Sequence, residues 1–434
     1  MARVLLVVPS STYKVADFLD AARQLGADVV VAGEEAHVLA GAEAGRTMVV
    51  DFEDPVGGAA AVVDHEAHFP LDAVVAVDDR GALLAAEAAR RLGLPHNPAE
   101  AVRATRDKRL MRKRLETAEV PQPAYVELPL GAEGDELVRL AAQVGYPCVV
   151  KPATLSASLG VLRVDDPASL PATVSRVRRI AGAAGVPDGE SLLAERFVPG
   201  PELAVEALLD RGRLEPLAIF DKPDPLDGPA FEETIYVTPS RLPAADQQAA
   251  LSAVESATRA LGLGEGPVHA EVRVSDGRAL VIEVAARTIG GLCGRALAFG
   301  TGHSLEELVL AQALGVSLTD RRPDTRSSGV LMIPIPRAGT LRSVEGRQAA
   351  LAVPGVTAVD ITIAPGRRLA PPPEGGRYLG FVFARARRPQ EVEKALRTAG
   401  ALLDVQIDPI PVTSATPAET ATTGAPTSTG GCRS

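Results

Sequence analysis

Four short apolar runs, VLLVV (4–8), DVVVAG (28–33), TMVVD (47–51) and DAVVAVDD (72–79), alternate with helical stretches near 14–25 and over 81–94. Strands this uniformly apolar have no face to offer to water, so both faces must be covered. The helices between them are the available cover, which specifies βαβ units around a parallel sheet. The first strand runs into PSSTYK instead of a G-x-G-x-x-G turn, and no G-x-x-x-x-G-K-[ST] segment follows anywhere. The unit thus has the layers of a nucleotide-binding fold without its phosphate fingerprint. It reads as a scaffold or a substrate-side wall.

Beyond it the punctuation changes. Pro121 and Pro123 end a helix near 105–118, and the strands CVVKP (148–152) and VLRV (161–164) flank a loop that ends at Gly160. A helix near 168–184 leads to two strands within 191–210, joined by a Pro-Gly-Pro loop. A helix over 247–263 precedes a hairpin, and Ser304 is placed to cap a helix over 304–316. Residues 326–410 have an α+β pattern. The final 411–434, rich in Ser, Thr, Ala, Pro and Gly, has too little apolar mass to offset its ordering entropy and is expected to be disordered, with Cys432 an exposed thiol.

The net charge of −10 argues against a nucleic-acid or anionic-membrane footprint. The basic run Lys108-Arg109, Arg112-Lys113-Arg114 is read as a solvated helix face, Lys108 excepted. Cys148, Cys293 and Cys432 lie too far apart for a disulfide framework, which fits a reducing, cytoplasmic compartment. No apolar run approaches the ~18 residues of a membrane span.

The hairpin HAEVRVSDGRALVIEVAAR (269–287) carries Glu271 and Glu283 on either side of an Asp-Gly turn signal. Pairing Ala270 with Val284, Val272 with Ile282 and Val274 with Leu280 makes one face wholly apolar, as burial requires. That register calls for the odd-numbered loop Asp276-Gly277-Arg278, with Gly277 left-handed. It sets Glu271 opposite Glu283, where like charges repel unless a proton or a cation lies between them. An oxygen-only pair favours a hard ion such as Mg²⁺. Arg287, on the face of Glu283, is placed to neutralise an anion. His269 shares the face of Glu271 and is placed to orient a substrate or the metal shell. Gly290 and Gly291, in GGLCGRA, allow close backbone approach to an anion. Solvated glutamates paired with Arg273, and a satisfied structural histidine, are the alternative readings of these residues.

Four segments in this order resemble the ATP-grasp superfamily, specifically its carboxylate–amine ligases, over about 1–325: TRDKRLMRKRLETAEVPQPAY, PCVVKPATLSASLGV, LLAERFVPGPELAVEAL and the hairpin. The resemblance implies an α/β and α+β multidomain fold. A Rossmann-like parallel α/β domain (1–104) would precede a two-lobed ATP-grasp domain, with a small lobe at 105–190 and a large lobe at 191–325. A small C-terminal α+β unit (326–410) would follow. It implies ATP as substrate, with Lys108 and Lys151 on the α- and β-phosphates and the loop Ser156, Ser158, Gly160 over the triphosphate. Glu195, Arg196, Phe197 and Val198 would face adenine, and Glu202 the ribose. Glu271 and Glu283 would hold one or two Mg²⁺ ions, with Mn²⁺ as a substitute. Arg287 would be catalytic, on the oxyanion.

Many family members have an asparagine two residues after the second metal glutamate, where this chain has Ala285. The EVAAR form and GVLMIPIPRAGTL are similar to the L-amino-acid ligase (dipeptide-forming) branch. The implied reaction joins a small-molecule carboxylate to an amine through an acyl phosphate, in a protein that forms a homodimer. Another acyl-phosphate chemistry of the purine-ligase or carboxylase type, and a nucleotide-binding regulator without turnover, remain alternatives.

Overall fold

The computed structural model describes residues 2–409 other than 11, 36–45, 188, 319 and 323; the tail 411–434, and Cys432 with it, lies outside them. The N-terminal unit is a parallel sheet in the order Thr47–Val49, Asp28–Gly33, Arg3–Val7, Ala73–Ala76, as the apolar runs predict. Helices Val15–Gln24 and Asp79–Leu92 cover it. A further helix, Pro55–Glu66, stands where the sequence reading placed none. Its start is nonetheless written locally: the Asp54 carboxylate caps the Gly57 N–H at 3.0 Å and Pro55 occupies the first turn.

The small lobe is an antiparallel sheet in the order Tyr125–Leu128, Leu192–Arg196, Cys148–Pro152, Leu162–Val164, with helix Leu170–Ala183 packed on it; strand Leu192–Arg196 thus pairs within this lobe, past the expected 190/191 boundary. The large lobe begins an eight-stranded sheet: Arg278–Ala285, Gly266–Ser275, Glu202–Asp210, Arg213–Asp221, Ile235–Thr238, then Ser327–Ile333, Gly380–Ala386 and Val356–Ile361. The chain position 325/326 is therefore a crossing within one sheet, because Ile235 pairs with Leu331 across it. A single core ties the N-terminal unit to the rest, with Phe18 and Leu6 packed in the same cluster as Phe299, Leu308, Phe381 and Phe383. The expected cap of Ser304 is present as a full capping box with Glu307, on helix Leu305–Ala313.

The hairpin departs from the expected register in an instructive way. Its turn has two residues, Asp276 and Gly277, with φ of 50° and 71°, the type I′ geometry that Asp-Gly favours. The register at the tip then pairs Val274 with Ala279 and Val272 with Val281, so Leu280 and Ile282 leave the apolar face. One extra residue, Ile282, forms a bulge that restores the frame, and Glu271 faces Glu283 as expected. The buried face is Ala270, Val272, Val274, Ala279, Val281 and Val284, packed on helix Ala244–Leu261.

Candidate active site

The bulge places Ile282 and Glu283 on the same side, where both line a cleft between the two lobes. Lys108, Lys151, Ser156, Ser158, Glu195, Arg196, Phe197, Val198, Glu202, Glu271 and Glu283 line the same cleft. The structure thus brings the two lysines, the loop serines and the hinge residues to one place with the glutamate pair. Gly160 closes the loop at φ 72°, and a Cβ there would lie 3.0 Å from Pro152.

Lys108 stands at the first turn of helix Lys108–Thr117. Its Nζ donates to the Leu155 carbonyl at 2.7 Å and lies 3.4 Å from Glu283 Oε1, so it ties the loop to the metal-ligand pair. Lys151, next to last in strand Cys148–Pro152, meets Glu195 Oε2 at 2.7 Å. Arg112, one turn after Lys108, corrects the reading of that basic run as a solvated face. It is fully buried, and its guanidinium grips both oxygens of Glu195 at 2.7 and 3.1 Å. Its Nη1 donates to the Val281 carbonyl at 3.1 Å, and Nη2, shared with Glu195, donates to the Ile282 carbonyl at 2.6 Å, the two residues at the bulge. Helical spacing puts Lys108 and Arg112 on one face of the helix, a signal that run-level charge counting obscured.

Burial alone would raise the Glu195 carboxyl, but the charges of Arg112 and Lys151 outweigh it and hold it at about 2. The folded value lies below the ordinary 4.5, so this group's stabilisation is complete above pH 4.5 and is lost as pH falls toward 2. Glu195→Gln is expected to flatten the acid limb of the unfolding free energy. Urea midpoints at pH 4.5 and 3.5 check this: an unchanged slope in the variant would refute it.

Around the other end of the glutamate pair, the Lys222 ammonium sits among Glu202 (2.6 Å), Glu233 and Glu271 (3.3 Å). Those three carboxylates each offer an oxygen within 4.8 Å of the others. Burial would raise Glu271, yet Lys222 and His269 hold its carboxyl well below the usual range. Burial also raises Glu233, and there it prevails. The second oxygen of Glu202 accepts from Arg273 at 2.8 Å, and the guanidinium groups of Arg273 and Arg163 lie 5.2 and 4.4 Å from the centre of the Phe197 ring. His269 bridges Glu206, at 2.5 Å from Nδ1, and Glu271, at 3.5 Å from Nε2. Burial would lower its pKa; the Glu206 charge raises it to about 9.

A second chamber of about 330 Å³ opens behind the pair. Ser156, Ser158, Glu233, Glu271 and Glu283 line it as well as the cleft, together with His269, Arg287, Gly290 and Gly291. Arg287 is held from the N-terminal unit, its Nε donating to Asp79 at 2.8 Å. Gly291 has φ 58°, and a Cβ there would strike the Phe381 ring at 2.8 Å. Ala285 lines the chamber and offers no ligand atom. Cys293 is buried in the chamber wall, and burial pushes its thiol far up, which disfavours the thiolate.

Sequence reasoning missed Glu233, Lys222, Ile282 and Asp79. Glu233 had a local signal, an acidic pair before the apolar strand IYVT, whereas Asp79 is brought in from another domain and had none.

Three known sequence families match in chain order: an ATP-grasp N-terminal domain at 19–96, an ATP-grasp domain at 144–296 and L-amino acid ligase C-terminal domain 2 at 331–408. The chain belongs to the ATP-grasp superfamily. Among solved ATP-grasp folds, an L-amino acid ligase from Bacillus licheniformis superposes with a TM-score of 0.79 at 27% identity, over 94% of this chain and 99% of that one. Protein y4rH of Sinorhizobium fredii is 29% identical over 74% of this chain and 65% of its own length. Alanine–anticapsin ligase of Bacillus subtilis is 26% identical over 51% of this chain and 49% of its own. This ATP-grasp chain thus spans about half to two thirds of the curated relatives it matches. Among its described residues no helix is long and apolar enough to cross a membrane.

Proposed function

We propose that this protein is an ATP-dependent carboxylate–amine ligase acting on small molecules, with an amino acid on at least one side. The observation that carries the reading is the opposed pair Glu271–Glu283, standing where the cleft and the Arg287 chamber meet. Named ligases among the similar proteins, which join alanine to anticapsin or one D-alanine to another, support an amide-forming reaction.

In this reading the cleft takes ATP. Lys108 and Lys151 offer point charges to the α- and β-phosphates, the loop 154–160 covers them, and Arg196 to Val198 flank adenine beside Ile282. Glu202 faces the ribose. The donors of Glu271 and Glu283 are all carboxylate oxygens, which fits Mg²⁺ or Mn²⁺, with Glu233 at the margin. A bound divalent ion would lessen the repulsion between an incoming carboxylate and the γ-phosphate.

The chamber presents the carboxylate in line. Its oxygen attacks the γ-phosphorus, the bond to the ADP oxygen breaks, and an acyl phosphate forms. The amine then attacks the acyl carbon, the carbon–oxygen bond to phosphate breaks, and the nitrogen loses a proton. Arg287, whose charge is fixed by Asp79 despite its burial, faces the developing oxyanion.

Phosphate release from ATP and Mg²⁺ against amino acids, singly and in pairs, with mass spectrometry of the products, tests the reading. Release that requires a pair and yields the condensed mass supports it. Tight ATP binding without release for any pair would move the assignment to a regulator. Arg287→Lys keeps the charge and loses the fork that Asp79 orients, so we expect kcat to fall about 10²-fold with KM for ATP little changed. Steady-state kinetics check this, and an unaltered kcat would remove Arg287 from the chemistry.

A further inference from the structure

A cleft of about 1030 Å³ lies between helix Leu170–Ala183 of the small lobe and the C-terminal unit, on the far side of the loop 154–160. Five arginines and one glutamate line it, in a chain whose net charge is −10. Arg176 is committed to Glu374 at 2.7 Å, and Arg377 lies over the Tyr13 ring. The other three, Arg179, Arg367 and Arg368, are exposed and have no ion pair or side-chain hydrogen bond among the described residues. Unpaired guanidinium groups around one concavity present like charge to it, and an anion that took several of them at once would offset their repulsion. The floor beneath them is aliphatic, with Leu159, Ile180, Ile335 and Ile363, which suits a ligand having a carbon skeleton between its charges.

The cleft adjoins the chamber. Gly376 and Arg377 line both spaces. The two loops meet between the spaces: the Gly160 N–H donates to the Pro373 carbonyl at 2.9 Å, and a Cβ on Gly376 would lie 3.3 Å from that of Ala157. Displacement of the phosphate-covering loop would make one space of the two.

We infer that the cleft holds the anionic end of the amine substrate, and that this substrate carries two or more acidic groups remote from its nucleophilic nitrogen, as an acidic peptide does. The assignment rests on the ligase reading and specifies its second substrate. The amine end reaches the acyl phosphate past Arg377, while Arg179, Arg367 and Arg368 take the acidic groups in bidentate fashion. Carboxylate and phosphate share this chemistry, and the probes below separate them.

Titration calorimetry of the full chain with ADP and Mg²⁺ present uses tri-glutamate, tri-glutamine and a phosphoserine tripeptide as probes. The expected result is binding of tri-glutamate, none of tri-glutamine, and at least a tenfold loss of affinity in the surface variant Arg367→Gln/Arg368→Gln and again in Arg179→Gln. Tighter binding of the phosphoserine peptide would assign phosphate as the natural acidic group. In turnover, the ratio of kcat/KM for an acidic amine over its neutral isostere should fall at least tenfold in the same variants. Equal binding of tri-glutamate and tri-glutamine, or unchanged affinity in the double variant, overturns the site. ADP formation with an unchanged preference ratio overturns its role as the amine subsite and leaves the ligase reading standing. No ADP from any pair overturns the ligase reading itself, while the titration still decides whether the cleft takes anions.

Discussion

Glu283→Gln is expected to lower ADP formation by about three orders of magnitude, about 4 kcal/mol of transition-state stabilisation, while leaving the fold intact. The substitution keeps the shape and removes a full charge from the pair Glu271–Glu283. A hard divalent ion loses its anionic oxygen, and Lys108, 3.4 Å from Glu283, loses its counterion. The described contacts of Glu283 are few and its side chain is partly exposed, so little packing goes with it. Relief of the like-charge contact with Glu271 should leave the melting temperature of the nucleotide-free protein unchanged or higher. A coupled assay of ADP and a thermal melt check both. Retained turnover with a lowered melting temperature would make the pair structural and end the metal assignment.

Arg112→Leu acts in the opposite sense and is expected to cost about 3–5 kcal/mol of stability. The guanidinium has no exposed surface, and its removal leaves the Glu195 carboxylate buried with Lys151 alone. It also strips donors from the Val281 and Ile282 carbonyls at the bulge. Arg112→Leu/Glu195→Leu should recover part of the loss, because a buried pair removed together costs less than one partner orphaned. Urea unfolding of the three variants measures the coupling; additive losses would show that Arg112 and Glu195 act independently.

These two sites differ in how far they were legible. The glutamate pair and Arg287 follow from a local pattern, at fixed offsets from the hairpin turn, whereas Lys108 and Lys151 were legible only through the resemblance of their segments to the ATP-grasp superfamily. The hairpin shows where such reading stops. Asp276-Gly277 demands a two-residue turn and one register, while the glutamates demand the other. Both are satisfied only by an extra residue between them, and Ile282 is that residue. A conflict between two sound local rules was itself the signal of a bulge. Arg112 was misjudged because a charge run was read as a unit, whereas one position in it faces inward. Glu233, Lys222 and Asp79 come from segments separated by tens to hundreds of residues, and their convergence is a property of the tertiary fold alone.

The eight-stranded sheet bears on how such proteins can be recombined. Sequence similarity breaks this chain near residue 325, where one family match has ended and the next has yet to begin, and that is where an engineer exchanging specificity modules would cut. The hydrogen bonds from Ile235–Thr238 to Ser328–Leu331 run straight across the cut. A graft there bares a strand edge on each piece and invites intermolecular pairing, so exchanged modules would precipitate or swap strands unless both sides of that seam came from the same parent. The inheritable module is the sheet, and the chain's linear segments are only its parts.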